Sequence, residues 1–227
     1  FIVSKKAGFA KADTTLIHST FGTMMNEDGR PFKTRDGGTI KLSELIDEAI
    51  NKARDMVSER NPQWNEKDRE HLAKTLAIGA IKYADLSKNR TSDYIFSFQK
   101  MLAFDGNTAP YLLYANTRIQ SVLTRANEMG LTTGAIVIDE FAEHKLALHI
   151  SRFSEVLAIT AAECYPHYLC QYLYNLSGLF MQFYELCPIL KANSIIKQQS
   201  RLALLVLTSH ILRDGLGLLG IQTVDRM

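Results

Sequence analysis

Phe104-Asp105-Gly106-Asn107-Thr108-Ala109-Pro110-Tyr111-Leu112-Leu113-Tyr114-Ala115-Asn116-Thr117-Arg118 is the stretch from which the character of this chain is read. Pro110 fits the first turn of a helix, where its missing amide hydrogen costs nothing, and Thr108 can cap that turn. On the helix so opened, Tyr111, Tyr114 and Arg118 stand three and seven positions apart and share a face. Two rings beside a guanidinium offer flat surfaces for unstacked RNA bases and a donor fork for a phosphate or a base edge. The same spacing suits two packed tyrosines with satisfied hydroxyls and an arginine in a surface ion pair. On these residues alone the packed reading is favoured, because tyrosine stripes usually pack.

Outward from this helix, which runs from Pro110 to about Met129, the period stays helical. Toward the N-terminus, Leu45, Ile46, Ala49, Ile50, Ala53 and Val57 recur at threes and fours, with Ser43 as cap and an end near Asn61-Pro62. Further helices are expected over 67–83 and 94–103. Toward the C-terminus they are expected over 139–164, broken around 149–151, then 167–186 and 194–219. Tyr172, Leu176, Leu179 and Phe183 keep core spacing, and Leu202 to Leu207 reads as core throughout.

The first third differs in kind. Leu16 to Met25 is a β-compatible run, followed by Asn26-Glu27-Asp28-Gly29 and Arg30-Pro31-Phe32-Lys33, which signals a hairpin. Lys33 and Arg35 beside Gly37-Gly38 could cradle a polyphosphate, yet the stretch lacks P-loop spacing and on these residues alone better suits a solvated, charged hairpin end. Lys82, Lys88 and Arg90 surround a helix end, where the dipole favours cations whether or not they bind a ligand. The fold class expected is mainly α: a helical bundle preceded by a small α/β remnant.

Composition narrows the classes. In 227 residues, 46% hydrophobic content supports a sizeable core, and a net charge of +2 is far too mild for a protein wrapping duplex DNA. Cys164, Cys170 and Cys187 are odd in number and have no Cys-x-x-Cys spacing, so they read as reduced thiols of a cytoplasmic protein. No apolar run is long enough to cross a membrane, and residues 1–12 do not form a signal peptide. The histidines have no metal-ligand spacing, so no metal site is expected, and no serine sits in a nucleophile elbow. The chain opens on Phe1 without an initiator Met, from which we expect that an upstream part has been cut away.

Several stretches carry a resemblance. Gly29 to Leu42 is similar to the signature-loop region of bacterial arginyl-tRNA synthetases. Ile81 to Ser87 with Asp93 to Phe96 resembles their entry into the anticodon-binding domain, Met101 to Leu112 the start of the RNA-contacting helix, and Leu219 to Met227 the family's ending. The order matches across essentially the whole chain. The resemblance implies residues 1–88 as the end of a class I Rossmann-type catalytic domain and 89–227 as the helical anticodon-binding domain. It implies an arginine-tRNA ligase that uses ATP with Mg and arginine to charge a tRNA with an arginine anticodon.

Phe32, Lys33, Thr34 and Arg35 stand where class I enzymes carry the Lys-Met-Ser-Lys loop, which steadies the ATP phosphates as charge moves. Thr34 departs from that signature at its second lysine, so Lys33 and Arg35 are given a supporting role. Tyr111, Tyr114 and Arg118 are assigned to the anticodon loop, with Met227 packing near it. The His-Ile-Gly-His type motif and the arginine pocket are not among these residues, so this stretch alone is expected to bind tRNA without aminoacylating it, and no cofactor is expected on it. A stand-alone helical RNA-binding or protein-interaction module is the alternative.

Overall fold

The computed structural model describes residues 1–31 and 41–227. The chain order is α1 (Ile2–Lys6), β1 (Met24–Met25), α2 (Leu42–Arg60), α3 (Glu66–Leu86), β2 (Tyr94–Ile95), α4 (Phe98–Met101), α5 (Ala109–Glu128), α6 (Phe141–Ser151), α7 (Phe153–Glu163), α8 (His167–Leu186) and α9 (Ile195–Leu218). The mainly helical expectation holds, and the break inside 139–164 falls at Arg152.

Local chemistry explains the helix starts. Asn65, Ser97, Thr108 and Ser194 each accept, through the side chain, the N–H three residues on, satisfying a donor the helix leaves orphaned. Thr108 thus caps α5 as its sequence foretold, with Pro110 in the first turn. The expected Ser43 cap is not used: α2 starts one residue before it, with Lys41 at the cap position.

Three expectations are corrected. Residues 94–103 do not form one helix: Tyr94–Ile95 is a strand, and only Phe98–Met101 is helical. The apolar spacing fits a helix, but pairing with a distant strand wins: β2 lies parallel to β1, with Met24 opposite Tyr94 and Met25 opposite Ile95. The run 16–25 is strand only at its last two residues. Its hairpin is reduced to a tight turn, in which Asn26 donates its N–H to the Arg30 carbonyl, Gly29 sits at φ +71°, and a single antiparallel bridge joins Met25 to Pro31.

The core is continuous. Helix α2 packs on α3, α3 on α5, and α5 on α8 and α9, while α6 and α7 cover α8. Leu76, Leu112, Leu113, Ile119, Leu173, Leu176, Phe180, Leu205 and Leu212 have no solvent exposure. Helices α8 and α9 meet closely at Gly215, where a Cβ would stand 2.5 Å from Leu173 Cδ2 and 3.2 Å from its Cγ. A buried ion pair pins α6 to α9: Arg201 Nε donates to Glu143 Oε1 at 2.6 Å, with both side chains almost fully covered. The other Glu143 oxygen accepts the N–H groups of Asp139 and Glu140, and Arg201 Nη1 donates to the Pro188 carbonyl, so neither charge is left wanting.

After α9 the chain turns at Gly220, φ +68°, and residues 221–227 return without regular structure across α3 and α5. Ile221 and Val224 are buried there.

Candidate anticodon-loop interface

The spacing of Tyr111, Tyr114 and Arg118, about one turn between neighbours, places them on the side of α5 that meets α8, but not in one environment. Tyr111 is half-buried and tilts against Tyr174, ring centroids 5.6 Å apart. Burial, with the Tyr174 hydroxyl close by, pushes its phenol pKa above the ordinary value. Its role is first that of a packing residue with one accessible edge. Tyr114 is exposed, and its hydroxyl accepts a 2.7 Å hydrogen bond from Arg118 Nη1.

Arg118 occupies the centre. Its guanidinium carbon lies 4.6 Å from the Tyr184 ring centroid and 5.8 Å from that of Tyr114. The two rings hold the fork by cation–π attraction, which fixes a side chain that would otherwise sample many rotamers. Contacts 111–174 and 118–184 advance together along α5 and α8, so the two helices run in the same direction and present one ring-studded surface.

Beside Tyr114 opens a cavity of about 160 Å³, lined by Met56, Val57, Arg60 and Asn61 of α2 and its end, Leu72 and Leu76 of α3, Phe104, Tyr114 and Met227. Arg60 stacks over the Phe104 ring at 4.0 Å. Met227 is thus brought to Tyr114, as the assignment of both to one site requires. The walls are mostly apolar and aromatic, with the Arg60 guanidinium and the Asn61 amide among them, a setting suited to an unstacked base.

Tyr174, Tyr184, Phe104 and Arg60, which the structure places at this surface, were not singled out from the sequence. Tyr184 belongs to the aromatic run 165–184, but its partner is 66 residues away in sequence, and no local period can report such a pairing. Lys82 has a definite partner: its ammonium donates to the Gly220 carbonyl. Phe32, Lys33, Thr34 and Arg35 lie outside the described residues. Among the described residues no group of three or more His, Cys, Asp or Glu could hold a metal ion, and no helix is long and apolar enough to cross a membrane.

Two family descriptions match the chain: tRNA synthetases class I (R), catalytic domain, over residues 1–98, and DALR anticodon binding domain over residues 112–227. The chain belongs to the arginyl-tRNA synthetase family, through its DALR anticodon-binding domain. Among curated relatives, the arginine–tRNA ligases of Azotobacter vinelandii and Shewanella amazonensis are 52% and 49% identical over all of this chain. The chain spans 39% of the length of each of these relatives. The solved arginyl-tRNA synthetase of Thermus thermophilus superposes with a TM-score of 0.80 at 30% identity, covering 91% of this chain and 35% of that one. That of Plasmodium falciparum gives 0.79 at 28% identity, covering all of this chain and 38% of that one. The arginyl-tRNA synthetase resemblance of the sequence stretches is therefore confirmed. A free-standing helical module is disfavoured, because the N-terminal residues match a catalytic domain rather than an unrelated leader.

Proposed function

We propose that this chain reads the anticodon loop of an arginine tRNA, as part of an arginine-tRNA ligase that charges that tRNA in the cytoplasm at the expense of ATP. The observation that carries the reading is Arg118 held between the Tyr114 and Tyr184 rings, beside a cavity walled by Phe104 and Met227. In this reading Tyr114 and Tyr184 are stacking surfaces, Arg118 supplies the donor fork, and Tyr111 supports the surface from below while offering one edge. Met227 closes the cleft with an adaptable thioether chain.

Residues 1–88 are proposed to serve the catalytic side and 89–227 the anticodon side. Phe32, Lys33, Thr34 and Arg35 form the ATP-side loop of this proposal. ATP with Mg, and arginine, enter it through the family alone, and the 227 residues are proposed to bind tRNA without charging it.

The test is a binding titration of the chain against an unmodified arginine tRNA and the same tRNA with its anticodon bases exchanged, each at two salt concentrations. Weaker binding of the exchanged tRNA supports the reading. Equal binding of both, with a steep salt dependence, reduces it to backbone contact without recognition.

A further inference from the structure

We infer that Lys82 and Asn116 are positioning residues for anticodon reading: they fasten the closing segment 219–227 so that Met227 stands as a wall of the cleft beside Tyr114. The inference rests on the proposed function and adds to it two residues that touch no RNA.

The segment has no helix or strand of its own, so its backbone would wander unless tied. It is tied at three places. Lys82 Nζ, on α3, donates to the Gly220 carbonyl at the turn that leaves α9. Asn116 Nδ2, on α5, donates to the Val224 carbonyl at 3.0 Å. Arg226 pairs with Asp68 and lies 4.6 Å over the Trp64 ring. Gly79 leaves room for the segment, since a Cβ there would come within 3.2 Å of Ile221 Cγ2.

Asn116 is the telling member. It is completely buried in the middle of α5, two residues from Tyr114 and two from Arg118, and burying an amide is costly unless it is bonded. Its nitrogen is spent on the segment, and its Oδ1 has no partner. Helix packing alone would be better served by an apolar side chain. What the amide supplies is a fixed point for the backbone three residues before Met227, on the same helix that carries Tyr114 and Arg118. Lys82 makes the corresponding bond from outside, so the segment is held from both ends of its path.

The test measures Kd for the arginine tRNA and for its anticodon-exchanged counterpart. The proteins are the wild-type chain, Lys82→Met, Lys82→Arg, Asn116→Ala, Met227→Ala, and Lys82→Met and Asn116→Ala each combined with Met227→Ala, with a thermal melt of every variant. Lys82→Met keeps the aliphatic stem and removes only the donor, so it decides the matter even where Asn116→Ala unfolds. The expected result is a loss of anticodon preference of about tenfold in Lys82→Met and in Asn116→Ala, preference kept in Lys82→Arg, and no additional loss when either is joined to Met227→Ala. A purely structural role would move the melt without this non-additivity. Undiminished preference in Lys82→Met, or losses that add to that of Met227→Ala, overturn the inference while leaving the anticodon reading in place. A wild-type chain with no anticodon preference overturns that reading first, and this inference with it.

Discussion

Arg118 shows how much the surroundings of a single side chain decide. Alone on a helix it would be a mobile cation; between two tyrosine rings it is a donor fork with a fixed direction. Tyr114→Ala is expected to weaken binding of the arginine tRNA by about 1–3 kcal/mol, the usual worth of a base on a ring, whereas Tyr114→Phe keeps the ring and loses only the acceptor for Arg118. The same titration checks both. Arg118→Ala lowers the slope of log Kd against log salt if the fork meets a phosphate and leaves it unchanged if it meets a base edge. Tyr111 behaves differently because it is half-buried against Tyr174: Tyr111→Ala should lower the melting temperature as well as the affinity. Sequence spacing put Tyr111, Tyr114 and Arg118 together but could not rank them, because the ranking comes from Tyr174 and Tyr184 on another helix.

At the level of elements, helices were legible and strands were not. Capping by Thr108 and the start at Pro110 are local signals, and the structure keeps them. The β1–β2 pair joins residues 70 apart in sequence, two per strand, too short to leave an alternating pattern. Close helix contacts were equally silent. Gly215 reads as an ordinary helix glycine, yet Gly215→Ala should destabilise the chain by about 1–3 kcal/mol in a denaturant titration, because the methyl would press on Leu173 and outweigh the better helix propensity. The ion pair between α6 and α9 makes a second expectation. Glu143→Ala strands the Arg201 charge in the core and should cost about 3–5 kcal/mol, while replacing both residues with apolar ones should cost far less.

For the molecule as a whole, two partly buried groups contribute to the response to acid. His149 stacks on Tyr172 with centroids 4.3 Å apart and hydrogen-bonds the Tyr172 carbonyl, whose hydroxyl returns a bond to the His149 carbonyl. Burial holds its pKa below the ordinary 6.5, Arg152 adds to that, and the Tyr172 carbonyl opposes it. A depressed folded pKa means that the unfolded chain takes the proton first. Stability is therefore full above about pH 6.5 and declines as pH falls through that value toward the folded one. Melts across this range should show the decline, and His149→Gln should flatten it. Burial alone would raise the Glu143 carboxyl, but the N–H groups of Glu140 and Asp139 and the Arg201 guanidinium outweigh it, leaving the pKa below the ordinary 4.5. Its share of stability is present above about 4.5 and is lost as pH falls through the folded value, so a second decline belongs to stronger acid.

The path of residues 219–227 has a consequence for how the protein is made. A ribosome delivers the chain from its N-terminal end, and elements pack as they emerge. The segment leaves the ribosome after every helix it lies across. The bundle can therefore assemble while the cleft beside Tyr114 still lacks one wall, and Met227 emerges after the helices that line it. A chain trimmed before residue 219 would keep the helices and pass as folded by its far-ultraviolet spectrum while lacking the Met227 wall of the cleft. A helical spectrum therefore reports on the bundle and is silent about the cleft, whose last wall is followed only by a probe placed within residues 219–227.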